Sequence, residues 1–226
     1  MSRLLDLRLR WHVFRCRRQS DTSSRFLLQL ARWVASTPRA PDAPPLLEIG
    51  TRSGGSALLM LRVLEMMYRG EGRPPTVLTV DPYGARPIEG ASFVYDERFY
   101  RAMKRNLAGF ANHVHYMMDS ELFLRELDNL YVWGDGAKRP LNRFTLVYLD
   151  GSHDPEIVWF EIERLLPRVI PGGFLIVDDT DWFGGETRRR LEAAAPQFDV
   201  QVSHHGKQSL VEVSAILRPS SRVRSS

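Results

Sequence analysis

Residues 46–56 of the chain read Leu-Leu-Glu-Ile-Gly-Thr-Arg-Ser-Gly-Gly-Ser, and an apolar, helix-like run follows at residues 57–61. An apolar strand that feeds a glycine-rich turn and then a helix is typical of a nucleotide-cofactor site. The turn lets the backbone approach a ligand, and the start of the helix offers free N–H groups. A β–α turn that binds no ligand is the alternative, and the glycines alone do not decide between the two.

The residues inside this turn discriminate between cofactors. A dinucleotide-binding turn has the pattern G-x-G-x-x-G, whose second glycine lets the pyrophosphate approach, and Arg52 occupies that place here. Glu48 would repel a pyrophosphate but suits a cationic ligand. S-adenosylmethionine carries a sulfonium, an ammonium and no phosphate, so we predict that it is the cofactor. The residues expected to contact it in this turn are Glu48, Gly50, Thr51, Gly54 and Ser56.

Composition describes an ordinary globular chain. A length of 226 residues, with 43% hydrophobic and 26% charged residues, fits one domain with a substantial core. Cys16 is the one cysteine, so no disulfide can form within the chain, and a reducing compartment, the cytoplasm, is expected. No apolar run approaches the length that is needed to span a bilayer.

The formal net charge of +4 comes from the two ends of the chain. We expect a basic amino-terminal segment over residues 1–22, a main domain over residues 23–217 and a disordered basic tail over residues 218–226. Basic ends are able to contact nucleic acid or the surface of an anionic membrane, but solvated or frayed ends are commoner. The middle of the chain is near neutral, so a nucleic-acid substrate is not expected.

Strand-like and helix-like segments alternate along the chain. This pattern predicts an α/β fold, a Rossmann-like doubly wound sheet of seven mostly parallel strands with an antiparallel hairpin at its end. The strands are expected at residues 46–49, 77–81, 114–118, 144–149 and 174–177, with the hairpin at 198–203 and 209–217. Helices are expected from a start at residues 20–24 through residue 34, over the apolar run at 57–61, and at 95–107, 120–130 and 155–166. A long loop is expected at 82–94 and a surface insertion at 131–142.

Acidic residues follow several of the predicted strands, at the edge where open α/β sheets bind their ligands. Asp81 ends the second strand, where a carboxylate typically receives ribose hydroxyls. Asp119 and Ser120 follow the third strand, where the adenine edge would lie. An N-cap carboxylate for the next helix is the alternative for both acids. For Asp119 the two interpretations are equally good, whereas Pro82 after Asp81 favours the ligand.

Three further acids, Asp150, Asp178 and Asp179, end the fourth and fifth predicted strands. If those strands are neighbours, the carboxylates lie close together and repel one another unless a cation joins them. Oxygen ligands favour Mg²⁺ or Ca²⁺ over zinc. We predict a magnesium site here, with Asp150 also near the cofactor. The alternative is one helix cap and two exposed turn acids.

His153 lies three residues beyond Asp150, and Gly151 permits a tight turn that returns it over the strand ends. A histidine beside a substrate hydroxyl could remove its proton near neutral pH. We predict His153 as the general base, with Asp181 as the second candidate. The alternative for His153 is a cap for the helix that follows.

Taken together, these residues resemble the class I S-adenosylmethionine-dependent methyltransferases over residues 23–217. The resemblance is strongest to the metal-dependent O-methyltransferases related to the macrocin and cephalosporin-cluster enzymes. It rests on the turn at residues 48–56, Asp81, the run Asp150-Gly151-Ser152-His153, Pro171-Gly172-Gly173 and the acids of residues 178–181. The resemblance implies methyl transfer to a hydroxyl of a small molecule or sugar, with Mg²⁺ held by the acids that end strands four and five.

Two other functions remain open on the sequence. One is a metal-independent methyltransferase with a nitrogen or small-acid acceptor, and the other is a non-catalytic, cofactor-binding scaffold. Both predict that turnover does not depend on divalent ions. A homo-oligomer is compatible with the sequence, and the acceptor is not identified by it.

Overall fold

The computed structural model describes residues 2–20, 22–40, 42–84, 97–134 and 137–213. Its helices are α1 (Arg3–Cys16), α2 (Ser24–Ser36), α3 (Gly55–Met67), α4 (Glu97–Leu107), α5 (Ser120–Glu126), α6 (Pro155–Leu165) and α7 (Glu186–Phe198). Its strands are β1 (Leu46–Ile49), β2 (Val77–Val80), β3 (His113–Tyr116), β4 (Tyr131–Gly134), β5 (Ala137–Pro140), β6 (Phe144–Leu149), β7 (Val169–Val177), β8 (Val200–His205) and β9 (Gln208–Val213).

Seven strands form one sheet in the order β3-β2-β1-β6-β7-β9-β8. The pairs from β3 through β7 are parallel, and β9 joins β7 antiparallel as half of a hairpin with β8. The predicted fold class is therefore confirmed. The strand order reverses between β1 and β6, and open α/β sheets bind ligands at the carboxyl ends of the strands beside such a point.

Helices cover both faces of the sheet. Along β6, Leu146 and Tyr148 face one core, while Val147 and Leu149 face the other. The first core is completed by α1 to α4, and the second by α5 to α7. Burial on both faces explains why these strands are near-continuous apolar runs rather than alternating ones.

The amino-terminal segment differs from its expectation. Residues 3–16 form helix α1, whose Leu9, Val13 and Cys16 are buried against the first core, so this part of the chain is packed rather than frayed. Its arginines lie on the outer side of the helix, which is why charge alone suggested a solvated end. No helix of the described ranges is both long and apolar enough to cross a membrane.

Other differences are local. The insertion predicted at residues 131–142 contains an antiparallel hairpin of β4 and β5, and Pro171-Gly172-Gly173 lies inside a longer β7 rather than before it. Helix α7 was not predicted. The last predicted strand continues to residue 213 in the described part of the chain. Residues 214–217, the tail at 218–226 and residues 85–94 of the predicted loop lie outside the described residues.

Candidate functional site

The glycine turn between β1 and α3 is shaped by close contacts of the backbone. Gly50 has φ +88°, and a Cβ there would lie 2.0 Å from the carbonyl oxygen of Asp150. Gly55 begins α3, and a Cβ there would lie 2.4 Å from the carbonyl oxygen of Gln19. Both positions therefore need glycine for space, and the turn passes directly beside the end of β6.

Segments distant in sequence cover the glycine turn. The Ser53 hydroxyl donates to the Gln19 carbonyl at 2.7 Å, and the Asn106 side-chain amide donates to the Ser53 carbonyl at 2.8 Å. The chain after α1 and the helix α4 therefore both contact the turn. Sequence reasoning missed Gln19 and Asn106, because nothing local links them to the glycine pattern.

Glu48 is fully buried behind the turn. The Ser56 hydroxyl donates to its Oε1, while its Oε2 has no hydrogen-bond partner among the described residues. Burial raises the pKa of Glu48 to about 8. The carboxyl group is therefore mostly protonated at neutral pH, and a cationic ligand beside it would stabilise its charged form.

Asp81 lies at the end of β2 and is 2% exposed. Its Oδ2 accepts the Arg52 backbone N–H at 2.9 Å, and its Oδ1 accepts the Tyr83 backbone N–H at 3.0 Å. Burial nevertheless raises the pKa of Asp81. The carboxylate thus ties β2 to the glycine turn, and a ribose bound there would have to share it with these backbone groups.

An aromatic group closes the turn on its other side. The Tyr83 hydroxyl donates to the Arg52 carbonyl, and its ring packs 5.3 Å from Tyr100 and 5.5 Å from His115, measured between centroids. The Arg52 guanidinium lies 5.0 Å from the centroid of Phe99. Tyr83 is a site residue that the sequence did not reveal, since its role depends on the fold of the turn.

The remaining predicted cofactor contacts lie at the same edge of the sheet. The hydroxyl of Thr51 is buried and has no hydrogen-bond partner among the described residues. Asp119 precedes α5 at its N-cap position, but its side chain makes no capping hydrogen bond there. Ser120 is the first residue of α5. The side-chain hydrogen bond that would identify Asp119 as the cap of α5 is therefore absent.

The three acids Asp150, Asp178 and Asp179 meet at the ends of β6 and β7, with one carboxylate oxygen of each within 4.8 Å of the others. The Tyr148 hydroxyl lies 3.0 Å from Oδ2 of Asp150 and 3.0 Å from Oδ2 of Asp178. Because it has a single proton, it donates to one of these two carboxylates at a time. The Gln208 side-chain amide donates to Asp178 Oδ1 at 2.7 Å. This acid cluster is thus held by strands β6, β7 and β9.

Among the described residues, Lys207 places an ammonium against the acid cluster. The ammonium lies 2.6 Å from Asp179 Oδ1 and 3.4 Å from Asp178 Oδ1. Burial, with further effects of Asp178 and Glu48, raises the pKa of Asp150 well above its ordinary value. When all three acids are ionised, one ammonium does not balance their charge, and such an all-oxygen donor set fits a hard divalent cation such as Mg²⁺.

The two candidate bases are placed differently. His153 Nδ1 lies 3.6 Å from Asp179 Oδ2, and its ring packs on Trp182 with 4.3 Å between centroids. Asp154, not His153, caps α6 by accepting the Glu156 backbone N–H. Asp181 is exposed and makes no hydrogen bond or ion pair to a described residue. The structure therefore brings His153 to the acid cluster and leaves Asp181 at the surface.

We compared the chain with known protein families and with curated proteins. A profile described as a methyltransferase domain matches residues 47–180. No curated protein matches the chain.

Solved structures share the fold at low identity. The O-methyltransferase TomG from Streptomyces achromogenes, in complex with SAM, is 20% identical, with a TM-score of 0.57 over 92% of this chain and 90% of that one. An O-methyltransferase from Bacillus cereus, in complex with SAH, is 17% identical, with a TM-score of 0.57 over 94% and 92%. A protein from Corynebacterium glutamicum is 14% identical, with a TM-score of 0.61 over 95% and 91%.

Proposed function

This chain belongs to the methyltransferase-domain family, whose profile covers more than half of its length, and we propose that it transfers a methyl group from S-adenosylmethionine to a hydroxyl oxygen. The observation that supports this most is the position of the glycine turn, directly against the end of β6 where the acid cluster begins. A cofactor in the turn and an acceptor at the acids would be neighbours. The neighbours from Streptomyces achromogenes and Bacillus cereus, both O-methyltransferases, are in line with this reaction.

The proposed cofactor site combines a buried acid and unpartnered polar atoms with a glycine-rich backbone turn. Glu48 would face the cationic part of the ligand, and the Thr51 hydroxyl would supply a hydrogen bond that it lacks within the described protein. Asp81 would accept the ribose hydroxyls, and Asp119 and Ser120 would lie at the adenine end. The remaining contacts would come from Gly50, Gly54, Ser56 and Asp150.

The acid cluster would hold Mg²⁺ through Asp150, Asp178 and Asp179, which the charge imbalance of the cluster supports. When bound there, the ion would supply Lewis-acid stabilisation of negative charge on an oxygen. The protein itself would align acceptor and sulfonium, because an in-line displacement depends chiefly on orientation.

His153 would take the proton of the acceptor hydroxyl. The acceptor oxygen forms its bond to the methyl carbon as the carbon–sulfur bond breaks, which leaves S-adenosylhomocysteine and an imidazolium. Asp179, 3.6 Å from His153 Nδ1, would stabilise that imidazolium, and Trp182 would fix the ring. The acceptor would be a hydroxyl of a small molecule or sugar.

Transfer of an isotope-labelled methyl group to a panel of acceptors would test the proposal. We expect labelled products with sugar or polyol hydroxyls, loss of turnover with EDTA and recovery with Mg²⁺. Binding of S-adenosylmethionine without transfer to any acceptor would favour a scaffold protein. Tight binding of NAD in place of S-adenosylmethionine would contradict the cofactor assignment.

A metal-independent methyltransferase is the second candidate, and the position of Lys207 is the observation that favours it. Its ammonium could act as the cation of the acid cluster. The variant Lys207→Met separates the two. If Mg²⁺ serves the site, the variant should bind Mn²⁺ more tightly in calorimetry and retain EDTA-sensitive activity. If Lys207 serves instead, activity should be insensitive to EDTA and should disappear in the variant.

A further inference from the structure

Helix α1 has a second apolar face that the core does not use. Four large side chains, spaced three or four residues apart, lie on its outer side: Leu4, Leu7, Trp11 and Phe14 are 62%, 64%, 57% and 55% exposed. The opposite side of the helix is buried through Leu9, Val13 and Cys16. Monomeric proteins rarely expose contiguous apolar patches of this kind unless something binds there. We call these four residues the α1 stripe.

Arginines border the α1 stripe on both sides. At 3.6 residues per turn, Arg3 and Arg10 lie along one border, and Arg8 and Arg15 along the other. Asp6 is the one acid of the helix, and it already accepts from Arg10 at 2.8 Å and from Arg32 at 2.7 Å. The border therefore keeps an excess of positive charge.

The two aromatic residues of the α1 stripe pack against each other. Trp11 and Phe14 stack with their ring centroids 6.1 Å apart, and the Arg17 guanidinium lies 4.7 Å from the centroid of Phe14. An apolar stripe with a tryptophan, flanked by arginines, is typical of helices that lie in the interface of a membrane.

A basic recess continues from the α1 stripe. A cavity of about 1550 Å³ is lined by Leu7, Arg8 and Trp11 of α1 and by arginines of other segments, among them Arg62, Arg69 and Arg143. The acids of its lining are Asp42 and Glu65, which the arginines outnumber. Among the described residues, none of these four arginines makes an ion pair, and Nε of Arg62 is buried without a hydrogen-bond partner. The recess would suit phosphate groups beside the apolar surface.

We propose that the α1 stripe and the basic recess form a peripheral binding site for an anionic phospholipid membrane. The stripe would enter the boundary between headgroups and acyl chains, while the arginines contact lipid phosphates. A second copy of the chain fits this face less well. A two-fold contact would bring the arginine borders of both copies together, and the one acid of each helix is already paired. This binding is independent of the methyl transfer proposed above.

Co-sedimentation with vesicles tests the proposal. The full chain should bind vesicles of equimolar phosphatidylcholine and phosphatidylglycerol, but not vesicles of phosphatidylcholine alone. The double variant Leu7→Ser/Trp11→Ser should bind at least about tenfold more weakly, because it removes the inserted apolar groups. Leu122→Ser, which changes an exposed leucine on α5, is the matched control and should bind like the wild type.

The arginines are tested separately. Arg8→Gln/Arg15→Gln should weaken binding to the anionic vesicles, whereas Arg105→Gln on α4 should not. Both residues of the apolar double variant are more than half exposed, so its thermal midpoint should stay near that of the wild type. No binding by the wild type, or equal binding by the apolar variant, would overturn the proposal. A dimer in light scattering that dissociates in that variant would assign the face to a second copy and would also overturn it.

Discussion

Two of the predicted site residues make contacts that also serve the fold. Asp81 was predicted from its position as the acceptor of ribose hydroxyls, and the structure shows that the same carboxylate also holds the backbone of Arg52 and Tyr83. His153 was predicted from its distance to Asp150 along the chain, and it lies against Asp179 and Trp182. Substitutions at these positions therefore need controls that separate binding from folding.

Replacing Asp81 by Asn should weaken S-adenosylmethionine binding by about tenfold or more, because hydrogen bonds to a charged acceptor contribute ~1.5–3 kcal/mol each. Calorimetry measures the affinity, and thermal unfolding reports any loss of the backbone contacts. Asp119→Asn is the control at the proposed adenine end, where a smaller loss is expected. Unchanged affinity in Asp81→Asn would mean that Asp81 serves only the fold of the turn.

Replacing His153 by Ala should lower the rate of methyl transfer ~10²–10⁴-fold, the usual effect of removing a general base. The affinity for S-adenosylmethionine should hardly change, since His153 lies at the acid cluster and not in the glycine turn. Single-turnover kinetics would measure the chemical step. Asp181→Asn is the control, and a large loss there with an active His153→Ala enzyme would transfer the role to Asp181.

At the scale of elements, the passage of the glycine turn against β6 determines where a cofactor and an acceptor could meet. Gly50 has a positive φ, and the backbone carbonyl of Asp150 lies too close to leave room for a Cβ there. Neither the φ angle nor the contact with Asp150 can be read from residues 46–56 alone, because Asp150 lies far along the chain.

Gly50→Ala should destabilise the protein by more than ~2 kcal/mol, because the substitution adds a backbone clash to the strain of a left-handed residue. Gly70→Ala is a matched control, since Gly70 has φ +84° and a Cβ added there would meet no atom within 4 Å. Gly70→Ala should lower the free energy of unfolding only by the backbone strain, about 1 kcal/mol. Chemical denaturation measures both values, and equal losses would show that the contact with Asp150 has no cost of its own.

At the scale of the whole molecule, buried carboxyl groups make stability depend on pH. Burial raises the pKa of Glu161 to about 7 and that of Glu48 to about 8, against an ordinary value of 4.5. Because the folded state binds these protons more tightly than the unfolded state, their contribution to the free energy of unfolding is fully present below pH 4.5. It is lost as the pH rises through about 7 to 8.

The variant Glu161→Gln should therefore be more stable than the wild type at about pH 8, by up to about 3 kcal/mol, and the difference should vanish at about pH 4.5. Neither carboxylate oxygen of Glu161 has a well-formed hydrogen bond to a described residue, although the nearby Ser120 side chain lowers its pKa in part. The substitution therefore removes the charge with little other loss.

Urea unfolding at several pH values would measure this difference. Glu163→Gln, an exposed change on the same helix, should show no such dependence on pH. Equal stability of Glu161→Gln and the wild type under mildly alkaline conditions would contradict the prediction.

The parts of this protein that sequence alone determined are those that depend on local pattern. The strand and glycine turn at residues 46–56, the acids that end β2, β6 and β7, and the alternation of strands and helices were all predicted. The seven-stranded sheet and the methyltransferase family were then confirmed. Local pattern suffices here because side-chain periodicity and strand-end position are properties of neighbouring residues.

Tertiary structure decided what depends on residues far apart in the chain. Lys207 reaches the acid cluster from the hairpin of β8 and β9, Gln19 covers the glycine turn, and helix α1 packs with one face while exposing the other. The raised pKa of Glu48 likewise follows from its full burial on β1, where Ser56 of α3 contacts it. Desolvation and ion pairing are set by the neighbours that folding brings together, and the order of residues along the chain does not state which those are.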